Sequence, residues 1–299
     1  MWRKAHCPSL IFLVCVLLGS LAVARPAVAQ QQKNFLWRVQ SKTATAYILG
    51  SVHFLKPENY PLNPVIERAF ERSSVLAVEA NVNDPGKLDL QNLMDRVFYP
   101  ENDGLDKHVS REAYQYIENQ MGKLGLPLEM VSRQRPWFLA LTFEALELMR
   151  LGFDPQYGID MHFLSKAQGA KSIVELESLD EQINMLSGFS DVEQEAFLVY
   201  TLKNLKALGP QSKEVVRAWT AGDTRAIESV VSQSVKEDPR LVPVLRRLLD
   251  DRNGKMVSKI EGYLRSGQTY FVVVGAGHLV GDKGILKALR DKGFLVQQL

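Results

Sequence analysis

The sequence predicts an α/β domain, with a mixed central sheet built from N- and C-terminal segments and a large, mostly α-helical insertion. Three observations predict it. Short apolar, β-prone segments lie near both ends, at 47–49 and 272–274, and each runs into the same Gly-x-x-His pattern. A strand–helix–strand order follows the first of them, as in mixed sheets covered by helices. The long stretches between, 88–150 and 190–265, carry a mostly helical pattern.

The elements follow in order. Segments 35–40 and 43–49 flank Ser41-Lys42 and form an opening hairpin, the second strand ending at Gly50-Ser51-Val52-His53. Residues 64–73 are helical, with Pro64 tolerated in the first turn. Residues 75–78 are a buried strand that closes on Glu79. In the first helical block Ser110 caps one helix and Pro136 opens another that runs to Arg150. A helix stopping at Gly169 precedes a strand at 172–176. Ser190 and Glu193 then form a capping box before an amphipathic stretch that ends near Gly209-Pro210. The finish is a strand at 270–274, Gly275-Ala276-Gly277-His278, a helix near 283–292, Gly293 and a last strand at 294–297. The helical insertions therefore span about 86–168 and 180–265. Their methionines, Met121, Met130, Met149, Met161 and Met185, read as fillers of core gaps. No low-complexity linker divides these parts, so residues 30–299 read as one domain.

The first 29 residues read as a secretory signal. Arg3 and Lys4 precede an apolar run of 15 residues at 10–24, and Ala27-Val28-Ala29 has the form of a signal-peptidase site before Gln30. The run is shorter than the roughly 20 residues of a membrane span, and an uncleaved anchor is the alternative. This places the mature chain in the periplasm or outside the cell. Cys7 and Cys15 leave with the signal, which excludes a thiol nucleophile, a thiolate metal site and a disulfide. Removing Arg3, Lys4 and Arg25 takes the 36 basic residues to 33 against 34 acidic. Nothing in that balance resembles a nucleic-acid-binding surface. No second apolar run approaches membrane-spanning length.

The chemistry concentrates at the strand ends. Gly50 and Gly275 allow tight turns, with Gly277 in the second, and His53 and His278 then project over the carboxyl ends of their strands. Ligands bind at that rim in open α/β sheets. Glu79 closes a strand of the same kind, where a carboxylate needs hydrogen bonds, a cation or water. Residues 173, 175 and 177 share one face, and Glu177 lies nearer the strand end than Glu175. Two imidazoles with one or two carboxylates can bind Mn²⁺, Co²⁺ or Zn²⁺ and activate water. The same residues also serve as loop caps and solvated carboxylates in ordinary folds. Asp160 is a helix cap or a partner to a site residue, Arg133 can meet a substrate carboxylate, and Arg252-Asn253 can face the site from a helix. His108 reads as a surface residue and His162 as structural.

These residues resemble the TraB/PrgY/GumN family, related to the Tiki metalloproteases. The resemblance rests on Tyr47-Ile48-Leu49-Gly50-Ser51-Val52-His53, on Val78-Glu79, and on Tyr157-Gly158-Ile159-Asp160 leading to Glu177. It continues through Glu181-Gln182 and Arg252-Asn253 to Val273-Val274-Gly275-Ala276-Gly277-His278-Leu279-Val280-Gly281. It implies a metal-dependent peptidase with His53, His278 and Glu79 as ligands and Glu177 as ligand or base. The alternative is a non-catalytic protein that captures a peptide or envelope component in the same cleft.

Overall fold

The computed structural model describes residues 33–84 and 89–299. The expected signal at 1–29 and the expected start of the first insertion near 86 lie outside them. Residues Gln32–Leu299 form one compact unit.

Six strands form one sheet: β1 (Leu36–Gln40), β2 (Thr45–Ser51), β3 (Val75–Val78), β4 (Ser172–Glu175), β5 (Thr269–Gly275) and β6 (Leu295–Gln298). Their spatial order is β4-β3-β5-β2-β1-β6. The first two strands make the expected antiparallel hairpin, and β6 pairs antiparallel with β1. The four strands β4, β3, β5 and β2 are mutually parallel. This is the expected mixed α/β sheet, drawn from both ends of the chain. Parallel strands covered on both faces read as continuous apolar runs, and Phe271, Val272, Val273 and Val274 are all fully buried.

The register decides what the sheet can do. Gly50 lies opposite Val274 and Ser51 opposite Gly275, while Val78 faces Val273 on one side and Glu175 on the other. Four parallel strands thus end on one rim, with Gly50, Glu79 and Gly275 side by side. A Cβ on Gly50 would fall 2.4 Å from the Phe35 ring and 3.2 Å from the Ala276 backbone, so only glycine lets the two strand ends approach this closely.

Helices cover the sheet and build up the rim. Phe163 packs in tilted contact 5.0 Å from Phe70 and 4.7 Å from Phe271, ring centre to ring centre. The insertion has two smaller apolar cores of its own, around Ile117, Leu139 and Leu198 and around Trp137, Phe189 and Leu241. Ser110 accepts the Ala113 N–H, Pro136 opens the helix Pro136–Arg150, and Ser190 with Glu193 makes the capping box.

Two local readings are corrected. Gly209-Pro210 does not end a helix. The helix Asp191–Asn204 gives way to a single tight turn at Leu205–Ala207, and Gly209 and Pro210 lie in the first turn of the next helix, Leu208–Thr220. A proline there removes no intrahelical hydrogen bond. The methionines are mostly not core: Met130 is 64% and Met149 47% exposed, and among the five only Met121 is fully packed. Among the described residues, no helix is long and apolar enough to cross a membrane.

Candidate functional site

The turn after β2 is clamped from both sides. The Gly50 carbonyl accepts the Trp219 indole N–H at 2.6 Å, and the Val52 carbonyl accepts the Ile159 N–H at 3.1 Å. Gly158 packs so tightly on this turn that a Cβ would fall 2.3 Å from the His53 carbonyl oxygen. The helix Ile159–Ala167 begins there, and its first-turn Asp160 places Oδ2 2.8 Å from His53 Nδ1. The turn after β5 is a short helical one, Ala276–Leu279, which carries His278 back under the rim, 3% exposed. His278 Nδ1 lies 2.7 Å from Asn253 Oδ1, and the Asn253 amide in turn donates to the Lys283 carbonyl at 2.9 Å.

Both rings therefore meet an oxygen acceptor at Nδ1, which puts a proton there, so that in the neutral form of each ring Nε2 carries the lone pair. The two rings and the Glu79 carboxylate gather beside Gly275. A point one carbon bond out from the Gly275 Cα is 3.9 Å from His53 Nε2, 3.5 Å from His278 Cδ2 and 3.2 Å from Glu79 Oε1. Glu79 Oε1 also accepts the Gly275 N–H at 2.5 Å and lies 3.7 Å from His278 Nε2.

The other side of Glu79 is anchored. Arg252 Nη2 donates to Glu79 Oε2 at 2.6 Å and also reaches Glu177, whose carboxylate receives Arg252 Nε at 2.8 Å. Gln182 donates to both carboxylates, at 3.2 Å and 3.0 Å. Glu177 is held beside β3 by its own N–H, which donates to the Glu79 carbonyl at 2.9 Å. Its carboxylate thus grips Arg252, not the imidazole pair. A single π-helical turn, Arg246–Asp250, precedes the helix Asp251–Tyr263 that carries Arg252 and Asn253. Such turns recur at functional sites because they reset the helical phase. Here the two consecutive side chains reach Glu79 and His278 respectively.

Burial and charge set the protonation states. Burial pushes the Glu79 carboxyl up, but the charges of His278, Arg252 and His53 and the Gly275 N–H outweigh it and hold it at about 2. Burial drives His278 down to about 4 against the pull of Glu79, so it is neutral at neutral pH. Arg252 and the Gly275 N–H then do most of the work on Glu79. His53 is raised to about 9 by the Asp160 carboxylate, with burial opposing. Its side chain is 63% exposed, so water screens Asp160 and softens that shift. Arg252 is raised: burial works against its charge, and Glu177 and Glu79 overcome it.

Above the rim lies a cleft of about 550 Å³. His53, Glu79, Asp160 and Arg252 form its polar floor, and Leu141, Met161, Met185 and Phe197 are among its apolar walls. Met161 and Met185 are therefore cleft residues, contrary to the reading that gave them only packing roles. Glu144 also lines the cleft. The sequence analysis missed it, although a lone glutamate between Leu141 and Leu148 on one helix face was a legible signal.

Other expected participants stand elsewhere. Arg133 donates through Nε and Nη2 to the Tyr99 carbonyl, at 3.1 and 2.9 Å, and lines a separate cavity with Met94, Phe98 and Met130, not this cleft. A Cβ on Gly277 would make only ordinary contacts with Val231 and Leu249, so that glycine is not needed for the close approach. His108 is not a free surface residue: it stacks on Tyr99 at 4.1 Å and bonds Asp103 and Asp191. His162 Nε2 lies 3.2 Å from Glu67 Oε1, away from the cleft.

Among the described residues, no group of three His, Cys, Asp or Glu side chains closes on a metal-sized point. The donor chemistry nonetheless fits a divalent cation. The 3.7 Å between His278 Nε2 and Glu79 Oε1 is too long for a hydrogen bond. It is within the span of two ligands each about 2.0–2.2 Å from one ion. Two imidazole nitrogens, once His53 has given up its proton, and one anionic oxygen suit Mn²⁺, Co²⁺ or Zn²⁺.

The model of the TraB/PrgY/gumN family matches residues 35–298. The protein YbaP of Escherichia coli (strain K12) is 26% identical over 249 residues, covering 82% of this chain and 87% of YbaP. Metalloprotease TIKI2 of Danio rerio is 20% identical over 324 residues, covering 91% of this chain and 62% of that protein. Metalloprotease TIKI1 of Homo sapiens is 20% identical over 315 residues, covering 88% and 61%. The match thus spans less than two thirds of the metalloproteases' own length. No solved structure matches the chain.

Proposed function

The chain belongs to the TraB/PrgY/gumN family, and from that premise we propose that it is a metal-dependent hydrolase of the bacterial envelope that cleaves peptide bonds. One observation carries the proposal: the imidazole rings of His53 and His278 and the Oε1 atom of Glu79 gather beside Gly275. The distant likeness to proteins named metalloproteases supports the same reading.

In this reading His53, His278 and Glu79 hold a divalent ion, Mn²⁺, Co²⁺ or Zn²⁺. Such an ion, when bound, acidifies water and polarises a carbonyl. Asp160 and Asn253 fix the tautomer and aim of the two imidazoles. Arg252, Glu177 and Gln182 hold Glu79 ionised and in place, so Glu177 is a positioning residue acting through Arg252. The apolar walls of the cleft accept side chains of a peptide and thin the water around the floor. Residues 30–299 act as one domain, delivered to the periplasm or secreted after cleavage before Gln30. Mass measurement of the exported protein tests that, and a product retaining residues 1–29 refutes it.

A second reading rests on the capture of Glu79 Oε2 by Arg252 and on the absence of a closed ligand triad among the described residues. It makes the same cleft a non-catalytic binding site for a peptide or envelope component. Metal analysis and calorimetric titration of the mature chain and its His53→Ala and His278→Ala variants, with peptidase assays in Mn²⁺, Co²⁺ or Zn²⁺, separate the two. The hydrolase reading expects one ion per chain, lost in both variants, and activity that follows it. Equal metal affinity in all three proteins eliminates the shared centre.

A further inference from the structure

The cleft does not end at its apolar wall. A second cavity of about 210 Å³ lies within the helical insertion, walled by Tyr200, Leu205, Leu241 and Leu245. It shares Glu144, Phe197 and Leu248 with the cleft above the rim. Glu144 therefore stands where the cleft adjoins a second cavity whose lining is mostly apolar, with Thr201, Asn204, Gln211 and Ser234 as its other polar residues.

Every other acidic group lining the cleft has a partner. Glu79 is bound by Arg252, Gln182 and Gly275, and Asp160 by His53. Among the described residues, Glu144 has neither a hydrogen bond nor an ion pair. Burial raises its carboxyl above the ordinary range, and the charge of His53 only partly offsets this. An ionised carboxylate left without a partner in such surroundings is costly, and a bound cation removes the cost.

We propose that Glu144 anchors a primary ammonium group of the peptide bound in the cleft, and that the adjoining cavity receives the bulky apolar side chain next to that ammonium. The charge complements the one unpaired anion of the cleft. A cavity of about 150 Å³ lined by apolar side chains takes a benzene ring, so this chamber has room for a phenylalanine or leucine side chain. The ammonium comes from the peptide's amino terminus or from a lysine side chain. The inference rests on the cleft being a peptide site and does not depend on whether the peptide is cleaved.

The test is calorimetric titration of the metal-free mature chain at neutral pH with three probes: Phe-Ala-Ala-amide, its N-acetyl form, and N-acetyl-Phe-Lys-Ala-amide. The free amine binds at least about tenfold tighter than the acetylated peptide. Recovery by the lysine peptide identifies a side chain as an acceptable source, and no recovery assigns the site to the amino terminus. Glu144→Gln reduces the discrimination to less than about twofold. Glu144→Leu raises Tm, because it removes an unpartnered carboxylate, and a lowered Tm would reveal a structural role and overturn the proposal. Equal binding of the three probes, no binding of any at millimolar concentration, or discrimination that survives in Glu144→Gln also overturns it. Preference for the amine without metal-dependent cleavage leaves this inference standing and removes the hydrolase. Cleavage without that preference does the reverse.

Discussion

Asn253 Oδ1 lies 2.7 Å from Nδ1 of the buried His278, and through it the long helical region fixes which nitrogen of the imidazole faces Glu79. Replacing Asn253 with alanine leaves a buried ring N–H without an acceptor, at a cost of about 1–3 kcal/mol. It also frees the ring to turn. Metal affinity of Asn253→Ala falls about 10–100-fold by calorimetry, as for other residues that orient a ligand. Unchanged affinity would show that His278 is not a ligand.

If His53, His278 and Glu79 hold an ion, its binding depends on pH chiefly through His53. Asp160 raises that imidazole toward about 9, so it is protonated at neutral pH, whereas His278, at about 4, is already neutral. The ion must displace the His53 proton. Affinity therefore rises as pH goes from 6 toward 9, by up to about tenfold per unit, and about one proton is released at pH 7. Titrations in buffers of different ionisation enthalpy read that proton directly. Asp160→Asn flattens the rise above neutral pH.

Two groups weaken the fold in acid, in separate windows. His278 has its pKa depressed from 6.5 to about 4 and Glu79 from 4.5 to about 2. In both cases the unfolded chain takes up its proton first, so stability falls as pH falls. The His278 contribution, up to about 3 kcal/mol, is lost between pH 6.5 and 4. That of Glu79 is lost between 4.5 and 2. Urea midpoints measured against pH should lose the first slope in His278→Gln and the second in Glu79→Gln.

Arg252 separates two carboxylates that would otherwise repel. Arg252→Ala leaves Glu79 and Glu177 buried and uncompensated, a loss of about 3–5 kcal/mol. For a chain of this size each kcal/mol lowers Tm by about 2–4 °C. The deficit shrinks as pH falls, because without Arg252 the Glu79 carboxyl takes up its proton at a higher pH than in the parent protein. A deficit independent of pH would mean that packing, not charge, is what was lost.

The strand half of this site was legible because short parallel strands announce themselves. Val75–Val78 and the run ending at Gly275 are apolar throughout and stop at glycine or an acid, and both strand ends sit on the rim where that pattern placed them. Asn253 was legible for a related reason, since an asparagine inside a helix needs a partner. The grip of Arg252 on Glu177 was not, because it depends on how a helix 75 positions away is rotated, and the π-helical turn at Arg246–Asp250 changes that phase without any mark in the residue pattern. Met161 and Met185 misled because apolar residues line a substrate cleft and fill a core with equal ease.

The order of strands has a consequence for how the protein comes into being. β5 lies between β3 and β2, and its pairing with β2 joins residues more than 200 positions apart. Until that strand arrives, the hairpin β1–β2 and the pair β3–β4 are separate pieces with no hydrogen bonds between them. Contacts across such a distance in sequence form late, since the loop they close must first lose its freedom. The strand that joins the pieces also carries His278 just past its end, so the locking of the sheet and the arming of the site are one event. Before β5 is in place the chain holds His53 and Glu79 but not His278, so the site cannot be complete while the sheet is in pieces.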